Sequence, residues 1–157
     1  MEQEKIRSKI LSYAYRVLAR REHSSSELLA KLEKKFPELT EYFTGIIAHL
    51  KDNDIVNDAR FTEMMIRMYQ RQGKGPFVIQ RKLQEKGISN VLIQKYLSSS
   101  KQFLKILQEV YEKKRAREKP GQDPQKMKAR MVRFLIGKGF DSGAVWKVVG
   151  ASEYDLS

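Results

Sequence analysis

The stretch 73–88, GKGPFVIQRKLQEKGI, decides the fold because it contains both ends of one helix. Gly75 fits a helix N-cap and Pro76 the first helical position, while Gly87 supplies the left-handed residue that commonly ends a helix. About three turns of helix lie between them. Apolar residues collect on one side of this helix and basic residues on the other, which predicts a core face and a cationic face. Ile79 and Leu83 lie on the core face, and Arg81, Lys82 and Lys86 lie mostly on the cationic face.

The ending of this helix, Lys82-Leu83-Gln84-Glu85-Lys86-Gly87-Ile88, has a counterpart before it, Lys31-Leu32-Glu33-Lys34-Lys35-Phe36, and one after it, Phe134-Leu135-Ile136-Gly137-Lys138-Gly139-Phe140. The three stretches align on Leu32, Leu83 and Leu135. The steps between these leucines are 51 and 52 residues, and a nearly constant step is typical of a tandem repeat. A unit of this length accommodates three helices joined by short turns. The competing interpretation is that Leu-x-x-Lys-Gly-aromatic is merely a common helix ending and does not indicate a repeat. We predict three three-helix repeats, at 1–56, 57–105 and 106–157.

Local signals predict where other helices begin. Ser24 and Glu27 have the spacing of a capping box, Asp123 precedes Pro124 as an N-cap precedes the first helical residue, and Asp141 can cap the last helix. Apolar residues recur at steps of three and four along most of the chain, and no segment alternates apolar and polar residues as a half-buried strand does. The sequence therefore predicts an all-α protein.

The third repeat contains two features with definite structural expectations. Phe134, Leu135, Phe140 and Trp146 are expected to form its core, with Trp146 as the largest buried side chain. The stretch 113–119, KKRAREK, has charge without an apolar face, so we expect a solvated helix end or a mobile cationic segment that orders on a partner.

Positive charge is concentrated in the middle of the chain. The 157 residues have a formal net charge of +12. Residues 1–56 contain 10 Lys and Arg against 9 Asp and Glu, residues 57–105 contain 10 against 3, and residues 106–157 contain 11 against 7. A cationic surface of this kind attracts nucleic acid or an acidic protein, although charged side chains also serve simply to solvate helix faces. The second repeat is therefore expected to be the electropositive centre.

The composition argues against an enzyme and against a metal or cofactor site. The chain has no cysteine and only two histidines, His23 and His49, so thiolate and imidazole metal clusters are not expected. The carboxylates are scattered rather than paired with a base or nucleophile. No apolar run has the length of a membrane span, and the amino terminus is amphipathic rather than signal-like. We expect a cytoplasmic, monomeric protein without a cofactor and without membrane contact.

Short stretches distributed over nearly the whole chain carry a further, combined signal. They are Leu18-Ala19-Arg20-Arg21-Glu22-His23-Ser24, Glu27-Leu28, Lys31-Leu32, Asn57-Asp58-Ala59-Arg60-Phe61, Gly75-Pro76, Ile79, Leu83, Lys86-Gly87-Ile88, Phe134-Leu135 and Lys138-Gly139-Phe140. Together, and in this order, these stretches resemble the RecX family of bacterial regulatory proteins, which modulate the recombinase RecA.

The resemblance implies a curved, elongated right-handed array of three-helix repeats that binds in the helical groove of the RecA–DNA filament. It further implies inhibition of strand exchange, ATP hydrolysis and co-protease activity, and hence a role in homologous recombination, DNA repair and the SOS response. The chain departs from the family pattern in three places. Ser25, Ser26 and Val78 stand where the family often has Arg, and Phe36 replaces the expected Gly.

The expected partners are the RecA filament and single-stranded or duplex DNA bound without sequence preference. The contact residues are expected among the cations of the repeats, with the central helix of the second repeat foremost. They are Arg20, Arg21, Arg60, Arg67, Arg71, Lys74, Arg81, Lys82, Lys86, Arg130, Arg133 and Lys138. Two alternatives are a sequence-specific DNA-binding protein of helix-turn-helix type and a helical adaptor for an acidic protein. The first requires a preferred duplex sequence, and the chain shows no cluster of Asn, Gln and Arg at one helix start.

Overall fold

A computed structural model describes the backbone of residues 1–155 and the side chains of residues 1–150. Within residues 1–155 all regular structure is helical, which confirms the all-α prediction. A short 3₁₀ turn, Thr40–Tyr42, precedes the third α-helix. The α-helices are Glu2–Arg20 (α1), Ser25–Lys35 (α2), Phe43–Asp52 (α3), Asp58–Arg71 (α4), Pro76–Glu85 (α5), Asn90–Ser99 (α6), Phe103–Ala116 (α7), Pro124–Gly137 (α8) and Ser142–Asp155 (α9).

The helix starts follow the local chemistry of the sequence. The capping box of α2 is formed, because Ser24 Oγ accepts a hydrogen bond from Glu27 N and Glu27 Oε1 accepts one from Ser24 N. Asp123 caps α8 by accepting from Gln125 N at 3.0 Å, and Asp141 Oδ2 accepts from Ala144 N at 3.1 Å. These predicted caps are confirmed. Each one satisfies a helix N–H that has no partner within its own helix.

Residues 1–64 and 83–92 form one compact unit, called the first unit here. Its core lies between α1, α2 and α3, whose apolar residues at steps of three and four face inward. The Tyr13 ring packs edge-on against the Phe36 ring, with centroids 5.5 Å apart. The buried core residues are Ile10, Ala14, Leu28, Leu32, Phe36, Phe43, Ile46, Leu50 and Val56.

Residues 65–82 and 93–155 form the second unit. Its core includes Leu135 and Phe140, as predicted, together with buried residues of α7 and α9. Trp146 was expected to be the largest buried side chain, and this is wrong, because it is 52% exposed. Val145 and Val149, one turn apart on α9, take the inward positions, which turns Trp146 about 100° away from the core.

The basic stretch 113–119 is partly helical rather than wholly mobile. α7 continues to Ala116, so Lys113, Lys114 and Arg115 belong to its last turn. Basic residues at a helix C-terminus interact favourably with the helix dipole, which favours this extension. The structure therefore selects the helix-end interpretation for residues 113–116.

An equivalent contact to two backbone carbonyl groups is made once in each unit, at the interval of the sequence repeat. In the first unit, Ser24 Oγ donates to Lys86 O at 2.9 Å and Ser26 Oγ donates to Gly87 O at 3.3 Å. In the second unit, the corresponding acceptors are Lys138 O and Gly139 O, 52 residues further along. The corresponding donors, 51 residues further along, are the backbone N–H groups of Gly75 and Phe77, at 2.7 and 3.0 Å. The turn after the central helix of one repeat thus packs on the N-terminus of the central helix of the repeat before it.

Glycine is required where these turns approach. A Cβ on Gly75 would lie 2.4 Å from the Gly139 carbonyl carbon, and Gly139 itself has φ +103.

The repeat boundaries at 56/57 and 105/106 stay a prediction, and residues 156–157 of the third repeat lie outside the described residues. The second predicted repeat contributes residues to both units.

Candidate functional site

A basic groove in the second unit is the candidate site. It is formed by the C-terminal half of α4, one face of α7 and the end of α8. Seven of the residues that line it are cations, against one carboxylate, that of Glu109. The groove is defined here by the charged residues Arg67, Arg71, Lys105, Glu109, Lys113, Lys114, Arg117 and Lys138, with Gln70 and Ile106 in its floor.

The spacing of charged residues on two helices builds the groove. Lys105, Glu109, Lys113 and Arg117 follow one another at steps of four, so they form a stripe along one side of α7. Ile106, Leu107 and Tyr111 are buried and fix the rotation of α7 about its axis. On α4, Arg67 and Arg71 are one turn apart. The groove is thus a consequence of how two amphipathic helices bury their apolar faces.

An aromatic ring holds two of the ammonium groups. Lys114 Nζ lies 4.9 Å from the centroid of the Phe134 ring, and Lys138 Nζ lies 5.8 Å from the same centroid. The negative face of an aromatic ring attracts a cation, so Phe134 stabilises both lysines without neutralising their charge. The charge therefore remains available to an anionic partner.

Most groove cations have no carboxylate partner. In the part of the chain whose side chains are described, none of the following forms an ion pair: Arg71, Lys105, Lys113, Lys114, Arg117 and Lys138. Like charges held in one concave surface repel one another, and the repulsion is relieved when an anion binds. The arrangement can therefore bind a polyanion, and it offers hydrogen-bond donors rather than catalytic bases.

The structure brings together three of the twelve predicted contact residues, Arg67, Arg71 and Lys138. Lys74 lies on the loop after α4, Arg81 is exposed on α5, and the Lys82 Nζ lies 5.9 Å from the centroid of the Tyr69 ring.

Other predicted cations are engaged in ion pairs in the first unit. Arg60 Nε lies 2.6 Å from Glu22 Oε1, and its Nη1 lies 3.3 Å from Asp54 Oδ2. The hydrogen bond to Glu22 raises the pKa of Arg60. Glu27 accepts from Arg21 at 3.2 Å and lies 3.6 Å from Lys86 Nζ. Burial raises the pKa of Glu27, but the hydrogen bonds from Arg21 and from Ser24 N outweigh burial and leave it below its usual value. These cations stabilise helix contacts in the first unit.

The remaining predicted residues lie outside the groove. Arg130 pairs with Glu118 at 3.3 Å and also hydrogen-bonds Gln122, whereas Arg133 is exposed on α8. Arg20 lines a separate concavity of the first unit. Four groove cations were absent from the predicted set, and the four-residue step along α7 was the signal that could have found most of them. They are Lys105, Lys113, Lys114 and Arg117.

Two further observations bear on the chemistry. Among the described residues, no group of three or more His, Asp or Glu side chains is arranged to hold a metal ion. None of the helices within residues 1–155 combines the length and the apolar character that crossing a membrane requires.

Comparison with known proteins gives consistent results at the level of sequence and fold. Family models described as the second and third three-helix domains of RecX match residues 57–97 and 101–149. The regulatory protein RecX of Acinetobacter baylyi is 31% identical over 145 residues, covering 90% of this chain and 87% of its own length. That of Legionella pneumophila strain Corby is 33% identical over 142 residues, covering 90% of this chain and 93% of its own.

Solved structures show the same fold. The crystal structure of RecX from Lactobacillus salivarius matches 96% of this chain and 97% of its own, with a TM-score of 0.80 at 24% identity. A second crystal structure of a regulatory protein RecX gives a TM-score of 0.77 at 21% identity, covering 92% of this chain and 71% of its own. The predicted all-α fold of three-helix repeats is confirmed. Since the two family models match more than half of the chain and relatives exceed 30% identity over most of it, the chain belongs to the RecX family of regulatory proteins.

Proposed function

We propose that this protein is a non-enzymatic regulator that binds the RecA–DNA filament and inhibits strand exchange, ATP hydrolysis and co-protease activity. Membership of the RecX family supports RecA as the partner. The observation that carries the proposal is the basic groove, where seven cations face one carboxylate. A filament that contains DNA presents a dense array of phosphates, so electrostatic attraction favours its association with such a surface.

The groove is suited to rapid and salt-sensitive association. Its cations project from helices fixed by a buried core, so little reorganisation is needed when a partner binds. Exposed charges at an interface act mainly on the association rate and on its dependence on ionic strength. We therefore expect the protein to inhibit RecA more strongly at low salt than at high salt.

The test replaces Arg71, Lys105 and Lys113 together with Gln. Gln is unbranched, has a helix propensity similar to that of Arg and Lys, and removes three charges in the triple variant. We expect the concentration for half-maximal inhibition of RecA ATP hydrolysis on single-stranded DNA to rise about tenfold, with helical content unchanged. The matched control replaces Arg7, Lys34 and Lys51, three exposed cations of the first unit, with Gln.

The control lowers the net charge by the same amount, so it separates the groove from the general effect of charge. It should inhibit within about twofold of the unmodified protein. Equal inhibition by the folded groove variant and the unmodified protein would remove the groove from the proposal. Tight binding to one duplex sequence in the absence of RecA would instead favour the helix-turn-helix interpretation.

A further inference from the structure

A small cavity lies at one end of the basic groove, in the second unit. It is bounded by the end of α4 with the loop after it, one face of α7 and the end of α8, and its volume is about 210 Å³. Pockets for drug-sized ligands usually measure about 300–1,000 Å³, so this one suits a compact ligand. Its lining has five cations against the one carboxylate of Glu109. We call it the α7–α8 cavity; its cations are Arg71, Lys113, Lys114, Arg117 and Lys138.

Two lysines of this cavity are partly buried without a counter-ion. Lys114 Nζ and Lys138 Nζ lie 4.9 and 5.8 Å from the centroid of the same Phe134 ring. Within residues 1–150, neither lysine forms an ion pair. Removing water from an ammonium group costs free energy, which the ring offsets only in part, and two like charges near one ring repel each other. A bound anion would relieve both costs.

The backbone that carries these two lysines is fixed by the second unit. The Phe134 side chain packs against its core, and the buried Tyr111 lies three residues before Lys114 on α7. Lys138 N donates to Phe134 O at 3.0 Å, and Lys138 O accepts from Gly75 N at 2.7 Å. The two ammonium groups therefore converge on one ring from ordered positions, so little conformational freedom is lost when a ligand binds.

The lining of the α7–α8 cavity favours a multivalent phosphate over a carboxylate. Its recognition comes from side chains, because the N–H groups of Gln72 and Gly73 already donate to the carbonyl groups of Met68 and Gln70. A carboxylate has a single charge and can engage few of the five cations. A diphosphate group concentrates several charges and many acceptor oxygens in a few atoms, and both guanidinium and ammonium groups bind phosphate oxygens well.

We propose that the α7–α8 cavity binds a compact polyphosphate, either free pyrophosphate or the diphosphate or triphosphate tail of a nucleotide. The Lys114 and Lys138 ammonium groups donate to its oxygens, and Arg71 and Arg117 add guanidinium donors. This inference goes beyond the proposed function, because binding needs neither RecA nor DNA. Since the same cations belong to the basic groove, an occupied cavity competes with the filament, a consequence that rests on the proposed function.

The test titrates the full chain, without RecA, with pyrophosphate at constant ionic strength, and follows amide chemical shifts. We expect saturable shifts within residues 70–73, 106–117 and 134–138. Orthophosphate should bind at least about tenfold more weakly, because it can engage fewer of the cations. ADP distinguishes the two sources. Equal affinities for ADP and pyrophosphate would assign recognition to the diphosphate alone, whereas tighter binding of ADP would assign the site to a nucleotide, and both outcomes support the proposal.

Three double variants locate the site. Lys114→Gln/Lys138→Gln should bind pyrophosphate at least about tenfold more weakly, with unchanged helical content by circular dichroism. Lys114→Arg/Lys138→Arg keeps both charges and should stay within about threefold of the unmodified protein, since guanidinium groups also donate to phosphate. The control Lys95→Gln/Lys101→Gln removes two exposed cations of the second unit that do not line the cavity, and it should stay within about twofold.

Three results would overturn the proposal: no saturable shifts at the cavity, equal affinities for orthophosphate and pyrophosphate, or equal weakening by the control and by Lys114→Gln/Lys138→Gln. RecA is absent from every titration. A failure here therefore leaves the inhibition test of the groove variant unaffected, and a failure of that test leaves this site unaffected.

Discussion

At the scale of single residues, the stability of the first unit depends on a histidine that must stay neutral. His23 is buried, and burial is the main cause that lowers its pKa, with Arg21 and Lys31 acting in the same direction. The hydrogen bond to the Arg21 carbonyl and the nearby Glu27 act in the opposite direction but do not restore the usual value. Protonating His23 in the folded protein therefore costs more free energy than protonating it in the unfolded chain.

The free energy of unfolding should consequently fall on mild acidification. Above pH 6.5, the ordinary pKa of histidine, both states are neutral and the full stability is present. As the pH falls through 6.5 towards the lower folded pKa, the unfolded chain binds the proton first, and stability is lost. Denaturant unfolding of the unmodified protein at pH 7.5 and 5.5 should show this loss, and His23→Gln should lose less. Identical losses in the two proteins would show that His23 does not titrate in this way.

Also at this scale, the close approach of two glycines can be tested against a glycine with free space. Gly75→Ala places a Cβ 2.4 Å from backbone atoms of Gly139, which cannot move without separating α5 from the turn after α8. We expect a loss of about 2–4 kcal/mol in the free energy of unfolding. Gly45→Ala on α3 is the control, since nothing lies within 4 Å, and it should stabilise by about 0.5–1 kcal/mol. Equal effects in the two variants would contradict the close approach.

At the scale of helices, the ends were predictable from sequence and the rotation of one helix was not. Ser24, Asp123 and Asp141 act on backbone groups within three residues, so the sequence alone identifies them as caps. The rotation of α9 depends on which face of this helix meets α7 and α8. The large size of Trp146 suggested that this side chain is buried, and that inference was wrong. Val145 and Val149 are buried instead.

The rotation of α9 can be tested with two alanine variants. Val145→Ala removes a fully buried side chain and should cost about 2 kcal/mol in the free energy of unfolding. Trp146→Ala removes a side chain that is about half exposed and should cost less than about 1 kcal/mol. Denaturant unfolding monitored by circular dichroism checks both. A larger loss for Trp146→Ala than for Val145→Ala would mean that the tryptophan, rather than the valine, packs in the core.

The groove could not be predicted from the sequence either, because it also depends on how the helices pack. Its cations come from α4, α7 and α8, which are far apart in the chain, so only packing brings them together. Dividing the charge at residue 105 also placed Lys113 and Arg117 in a different repeat from Arg71. The sequence could show that the middle of the chain is basic, but it could not show that the neighbouring helix α7 adds to the same surface.

At the scale of the whole molecule, the chain has a formal net charge of +12, and its Lys and Arg side chains are of two kinds. Some pair with carboxylates and stabilise helix contacts, as Arg60 does with Glu22. Others, such as Arg71 and Lys113, have no such partner in the described part of the chain. Only the second kind leaves a field that can attract an anionic filament.

The central claim is that the filament contacts the basic groove, and binding to the filament tests it most directly. Filaments are assembled on biotinylated single-stranded DNA with a slowly hydrolysed ATP analogue, and equilibrium binding is measured by biolayer interferometry. The groove variant Arg71→Gln/Lys105→Gln/Lys113→Gln is compared with Lys74→Gln/Arg81→Gln/Lys82→Gln, which removes the same charge from the central helix of the second repeat and the loop before it.

The groove variant should bind about tenfold more weakly than the unmodified protein, with a smaller dependence on salt, while the second variant stays within about threefold. Both should keep the helical content and melting temperature of the unmodified protein, because single exposed charges contribute little to folding. Unchanged filament binding by the folded groove variant, with a loss in the second variant instead, would contradict the account and make the central helix of the second repeat the contact surface.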